Sequence, residues 1–380
     1  MRIVGFYHSL ISDWHHSAAH FLRGVVSELV GRGHDVRVFE HEDAWSVINL
    51  VRYQGTAAIA DFHTAYPGLG PLVSERYSDA IDLERALDGA DAVLVHEWSD
   101  PDLVARIGRH RANGGRYALL FHDTHHRLAT EPADLDRPDL SNYDGALVSG
   151  SAICDRYRAH GWAARAWSWH QAADAQVFGP RPDVVRDGDL VWIGNCGDDD
   201  RSEQLQTMLI EPAHALGLRT EAYGVRYPVP IRRALADADI TYGGWLANFA
   251  VPEVFAHHAV TVNLPRRPYV ELRPGVPTIR MFEALACGIP LISAPWSDDD
   301  ALFTAGEDYL IARDPAEMQR LLRAVLHDRM LADELARRGR QTILARHTCA
   351  HRVDELFTIL GELGVATPTG ASGRLAAAVR

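Results

Sequence analysis

A glutamate stands out in the stretch PTIRMFEALACGIPLISAPW, residues 277–296. Pro277 suits the first position of a helix, where its missing N–H would go unpaired anyway. Gly288 followed by Pro290 marks the stop before the apolar run LIS. Between them Ile279, Met281, Phe282, Ala284, Leu285 and Ala286 cover nearly the whole circumference, so the helix is expected to be buried on most sides. Glu283 sits in its middle. A buried carboxylate costs on the order of 2–7 kcal/mol unless donors meet it, so Glu283 is expected to hold something. Thr278, Ile279 and Arg280 make the first turn. Free amides and the positive dipole end there suit a diphosphate, and the planar guanidinium of Arg280 adds a bidentate grip.

Other chemistry-bearing residues gather in three loops. WIGNCGDDDRSEQL (192–205) carries Gly194 and Gly197, which allow close approach of a ligand to the backbone, with Asn195 to lend an amide and Arg201 near the start of the next helix. SLISDWHHSAAH carries Asp13, His15 and His16, and FHDTHHR carries His122, Asp123, His125 and His126. On a helix His122 and His126 would share a face and could hold zinc. No HExxH pattern or cysteine ligand accompanies them, so hydrogen-bonding histidines are expected instead. The triplets Asp198–Asp200 and Asp298–Asp300 read as helix caps or solvated loops, since adjacent side chains diverge. No metal site is expected.

These loops need strands to place them. RIVGFY, HDVRVFE, DAVLVHE, RYALLFHD, YDGALVSG and ARAWSWH read as strands interleaved with helices such as HSAAHFLRGVVSELVGRG and PDLVARIGRHRANGG. The same grammar restarts at DLVWIGN and runs through LRTEAYGV, DITYGGW, AVTVNLP and IPLISAP. Strands alternating with helices imply right-handed βαβ units and parallel sheets. The fold class is therefore α/β, with two Rossmann-like parallel-sheet domains facing a central cleft, where open sheets bind ligands at their strand C-termini. The expected division is an N-terminal Rossmann-like domain over 1–171, a linker over 172–188, a C-terminal Rossmann-like domain over 189–348, a C-terminal helix over 349–364 and a disordered tail over 365–380.

Composition excludes several classes. The 380-residue chain has a formal charge of -13, which disfavours a nucleic-acid partner. It contains no lysine: all 38 residues of the Lys+Arg count are arginine. That removes a Schiff-base lysine and a Walker A lysine. Phosphate must be met by arginine or by backbone amides. No apolar run approaches the roughly 20 residues that span a membrane. The opening MRIVGFYHSL reads as a strand rather than a signal peptide, and four scattered cysteines read as reduced thiols, so a cytoplasmic protein is expected.

PTIRMFEALACGIPLISAPW resembles the motif of GT-B glycosyltransferases in which an acidic helix precedes a small residue, Gly, x and Pro; the resemblance covers about residues 185–360. It points to the CgeB-like, glycosyltransferase family 4-like group, and AADAQVFGP looks like the family's interdomain segment. The resemblance implies that Glu283 binds the ribose hydroxyls of a nucleoside diphosphate sugar, that Arg201 meets its phosphates, and that Trp245 and Leu246 lie beside the nucleobase. It also implies that His122 and Asp123 lie near the reacting sugar, and that catalysis proceeds without a metal or other cofactor. Retaining relatives often carry a second acidic residue eight positions before the helix glutamate. Here that position is Gly275, with Glu271 nearby. Retention is expected; an inverting transfer would instead need a base, for which Asp13 and His16 are the candidates. The alternatives are a non-catalytic sugar-nucleotide binder and a GT-B nucleotide-sugar epimerase. Base, sugar, acceptor and oligomeric state are left open.

Overall fold

The computed structural model describes residues 1–124, 137–197, 199–266 and 276–367. Among these residues thirteen strands form two sheets, parallel throughout. The first half contributes β1 (Arg2–Tyr7), β2 (Asp35–His41), β3 (Ser74–Tyr77), β4 (Ala92–His96), β5 (Ala118–Asp123), β6 (Gly145–Val148) and β7 (Ala166–Ser168), in the order β3-β2-β1-β4-β5-β6-β7. The second contributes β8 (Gly188–Ile193), β9 (Thr220–Tyr223), β10 (Thr241–Gly244), β11 (His258–Asn263), β12 (Leu291–Ser293) and β13 (Leu310–Ile311), in the order β10-β9-β8-β11-β12-β13. Every pairing is in parallel register, for example Ile3 with Val36 and with Ala92. Helices cover both faces, which is why β4 and β5 are buried at every position.

Strand order decides where ligands can go. It reverses between β1 and β4 in the first sheet and between β8 and β11 in the second. Loops leaving the C-terminal ends of these neighbours diverge and open a crevice. Asp13–Ser17 follow β1 and Trp98 follows β4; Gly194–Gly197 follow β8 and Leu264–Arg266 follow β11. The first helix begins at Ala19 rather than at His16, so the two histidines stay in the loop that faces the crevice.

The chain then crosses back. Helix Cys349–Glu362 packs on helix Ala19–Gly31 of the first domain. The Trp169 indole donates to the Arg352 carbonyl at 2.9 Å, and the Arg352 guanidinium donates to the His170 carbonyl at 2.8 Å. Two strands carried no usable sequence pattern: β3 is the polar SERY and β13 is two residues long. Both are sheet edges, where one-sided pairing relaxes the demand for apolar runs. The glutamate helix spans Ile279–Cys287 and ends, as expected, on Gly288 in the left-handed region at φ 68. Its start is shifted: Thr278 is the N-cap, so Pro277 precedes the helix instead of opening it.

Candidate functional site

Between the two crevices lies a cleft of about 330 Å³, lined by both domains. The second domain brings Gly194, Asn195, Arg201, Trp245 and Leu246, and the glutamate helix adds Thr278, Ile279, Arg280 and Glu283. All nine were expected at a donor site, and the fold gathers them on one wall. Asp13 and His16 line the opposite wall with His15, Trp98, Thr124 and Gln171.

The second-domain wall is cationic and rich in backbone amides. Gly197 adopts φ +100, which disfavours any side chain, and Gly224 approaches Gly194 so closely that a Cβ there would lie 2.1 Å from the Gly194 carbonyl oxygen. Asn195 is fixed from both ends: its Oδ1 accepts from the Val225 N–H at 2.9 Å, which turns its amide toward His15 Nδ1 at 2.9 Å. His15 Nδ1 is then the acceptor and the proton sits on Nε2, which faces the Arg226 guanidinium at 3.1 Å. That last contact sets donor against donor and so leaves Arg226 without an acceptor on His15. Burial, then Arg226 and Arg266, push the His15 pKa down to about 4. Arg201 turns inward over the Trp192 ring at 5.1 Å, donating to Gln204 Oε1 at 2.6 Å and to the Leu264 carbonyl. Arg266 donates to the Cys196 carbonyl at 2.8 Å. Arg226 and Arg266 were not singled out in the sequence, although both follow predicted strand ends, the position that marked Arg201. The Thr278 hydroxyl donates to Asn263 Oδ1 at 2.8 Å and makes no cap bond, so no side chain of its own caps the helix start.

Glu283 is fully buried, and protein donors already answer it. Oε1 accepts from His20 Nδ1 at 3.0 Å and from Asn248 Nδ2 at 2.6 Å, while Oε2 faces the Arg280 guanidinium one turn back. The Asp174 backbone N–H donates to His20 Nε2 at 2.8 Å, which fixes the His20 proton on Nδ1, toward Glu283. Burial alone would raise the Glu283 pKa; Arg280, then His20 and Asn248, outweigh it and hold the carboxyl below its ordinary range. His20 comes from the first domain, Asp174 from the linker region and Asn248 from the loop after β10, so this one carboxylate ties three parts of the chain together. A second tie runs through Asp13, which accepts from Arg23 at 3.0 Å, from the Trp245 indole at 3.1 Å and from the Asn248 N–H at 3.0 Å. His20 and Asn248 carried no sequence signal, since an isolated histidine in a helix and an asparagine in a loop are unremarkable by type.

The two acids and histidines expected nearest the reacting sugar divide differently. His122 and Asp123 do not line the cleft. Both still lie inside β5, with side chains on opposite faces. His122 packs against Phe21 and Trp169 with 1% exposure, and among the described residues neither ring nitrogen has a hydrogen-bond partner. Burial pushes its pKa down to about 3. Asp123 accepts from the Tyr157 hydroxyl at 2.8 Å. Thr124, the residue just beyond the strand, reaches the cleft instead. His125, His126, Asp198, Glu271 and Gly275 lie outside the described residues. In the second acidic triplet Asp298 accepts from the Leu302 and Phe303 N–H groups at 2.9 and 2.7 Å, bonds that tie a loop rather than cap a helix. Asp300 instead crosses the interface to the Ser151 N–H at 3.0 Å and His170 Nε2 at 3.0 Å. The four cysteines are buried free thiols, and no described helix is long and apolar enough to cross a membrane.

A glycosyl transferase-like family model matches residues 201–358. Among curated proteins the sequence finds no match. Solved structures resemble it in fold. A sucrose-phosphate synthase from Thermosynechococcus elongatus superposes with a TM-score of 0.65 at 15% identity, over 97% of this chain and 100% of that one. An α-glucosyltransferase in complex with UDP and a 13-mer DNA gives 0.68 at 12% identity, over 95% and 99%. A DNA-modifying β-glucosyltransferase, studied with and without uridine diphosphoglucose, gives 0.60 at 11% identity, over 95% and 100%. The chain therefore has the GT-B fold and carries a glycosyl transferase-like domain in its second half.

Proposed function

We propose that the protein transfers a sugar from a nucleoside diphosphate sugar, bound on the second-domain wall, to a hydroxyl of an acceptor on the first-domain wall. The observation that carries this reading is the convergence of Arg201, Arg266 and Arg280 with an uncapped helix N-terminus and the Gly194–Gly197 loop, in a chain without lysine. Such a wall suits a diphosphate and the charge that develops on it as the glycosidic bond breaks. The glucosyltransferase structures solved with UDP or uridine diphosphoglucose support it by analogy of fold. The resemblance of PTIRMFEALACGIP to the motif of the CgeB-like, family 4-like group supports that reading.

The transfer needs no metal on this reading, because arginines and amides serve as the electrophile toward the leaving diphosphate. It retains configuration: the C1–O bond to phosphate breaks, the acceptor oxygen bonds C1 on the same face, and the acceptor proton passes to the departing phosphate oxygen. The state of Asp13 supports this, since its carboxylate is already committed to three donors and is poorly placed to take a proton. Glu283 meets the ribose through Oε2 when Arg280 turns from it toward the diphosphate, with His20 and Asn248 fixing Oε1. Trp245 and Leu246 flank the base.

The test is a thermal-shift screen against UDP, GDP, ADP and dTDP and their glucose conjugates. A ligand at 100 times its Kd adds about 2.7 kcal/mol to stability. Arg266→Ala should abolish most of the shift. No shift with any nucleotide would overturn the reading.

A further inference from the structure

We infer that Asp13 and Trp14 of the first domain are positioning residues for the nucleoside end of the donor, acting through the Trp245 indole of the second. This rests on the reading that the base lies beside Trp245 and Leu246. It makes Asp13 a donor-side residue rather than a base for the acceptor.

The loop after β1 is held from beneath. The Leu10 N–H donates to the buried Glu40 carboxylate at 2.9 Å, and the Ser12 hydroxyl to the Ser46 carbonyl at 2.8 Å. Arg23, fully buried on helix Ala19–Gly31, donates to the Leu10 and Ile11 carbonyls at 2.6 and 2.9 Å and to Asp13 Oδ2 at 3.0 Å. Its guanidinium lies over the Phe62 and Tyr66 rings, 5.0 and 5.3 Å from their centroids. A carboxylate braced in this way has little freedom left to lose when its other partners arrive.

Those partners belong to the other domain. Asp13 Oδ2 also accepts from the Asn248 N–H at 3.0 Å, and Oδ1 accepts from the Trp245 indole at 3.1 Å. Both donors sit on the loop that follows β10. A mere counterion for Arg23 would need neither bond. Trp14, the next residue, lies against the same indole with ring centroids 5.9 Å apart, and is itself stacked on Tyr53 at 5.0 Å and 5°. The Trp245 ring therefore has its N–H fixed by Asp13 and its plane supported by Trp14. Its two side-chain torsions are set before a base arrives, which spares the base that ordering cost.

Asp13→Asn isolates one of these bonds. The amide has a single oxygen, and the orientation that keeps this oxygen on Arg23 and the Asn248 N–H turns its NH2 against the indole N–H. Trp245→Phe removes the same bond from the other side and keeps an aromatic ring. The experiment is isothermal titration calorimetry of the full chain with UDP, GDP, ADP and dTDP, and with inorganic pyrophosphate. A nucleotide that binds the parent should bind Asp13→Asn about tenfold more weakly, the loss of roughly one hydrogen bond. Pyrophosphate, which reaches only the arginine wall, should bind both alike, whereas a loosened fold would weaken both ligands. The double variant should bind the nucleotide no more weakly than the weaker single one, because both changes remove one bond. Trp14→Ala leaves Asp13 and Arg23 in place and carries the test if Asp13→Asn fails to fold: it should weaken the nucleotide about threefold and spare pyrophosphate. Equal nucleotide affinity in parent and variants, equal weakening of pyrophosphate, or full additivity in the double variant would each overturn the inference alone. A parent that binds none of the four nucleotides would overturn the donor reading, and the inference with it.

Discussion

Replacing Glu283 by glutamine changes one atom in a position of the cleft that three donors meet, and the structure fixes what that change does. The carboxylate meets donors on every side: His20 Nδ1 and Asn248 Nδ2 on Oε1, Arg280 on Oε2. An amide has one acceptor oxygen, so its NH2 must face a donor in either orientation. The favourable orientation keeps Oε1 as oxygen and turns the NH2 toward Arg280. Removing one partner of a buried ion pair typically costs 3–5 kcal/mol. Arg280 keeps 17% side-chain exposure and can swing into the cleft water, which lowers the expected loss to about 2–4 kcal/mol. The loss should appear in guanidinium denaturation of the Glu283→Gln variant. The double variant with His20→Ala should cost less than the sum of the two single ones, because they share one bond. Nucleotide-sugar binding should weaken at the same time. A Glu283→Gln protein within 1 kcal/mol of the parent, with full additivity to His20→Ala, would refute the account of what holds this carboxylate.

Three other outcomes follow from the geometry. Burial holds His122 near pKa 3 and His8 near 4, against an ordinary value of about 6.5. The unfolded chain therefore takes up these protons first, and stability should fall as pH drops from about 6.5 toward 4, by up to ~1.4 kcal/mol per pH unit per histidine. His122→Phe should remove one proton's worth of that slope in pH-dependent denaturation and leave turnover largely intact; an inactive, folded His122→Phe would restore His122 to the reacting centre. Nucleotide release from the donor should continue in excess EDTA, and activity that vanishes and returns with magnesium or manganese would exclude the arginine-based electrophile. NMR of the anomeric proton should show retained configuration in the product. An inverted product, with His16→Ala folded but inactive, would establish a side-chain base.

Local chemistry made much of this protein legible in its residues alone. Period-two and period-3.6 patterns depend only on which positions are apolar, so two parallel α/β halves, and the loops at their strand ends, could be read without coordinates. Gly288 could be placed because a left-handed helix end depends on one residue. Most of the nine positions gathered on the second-domain wall could be named because they follow a strand or open a helix, and Glu283 because a carboxylate inside an apolar helix needs donors. Tertiary structure alone decided what answers Glu283, since His20 lies 263 residues away and no periodicity records such a pairing. It also withdrew His122 from the cleft, because whether a residue near a strand's end emerges or stays covered depends on the helix packed above it, here through Phe21. Arg266 came to line the cleft, and Arg226 to meet His15, only when the strand order placed β9 and β11 on either side of β8. Sequence specifies which face a side chain takes, but its partners are set by which other segments the fold brings within a few ångströms.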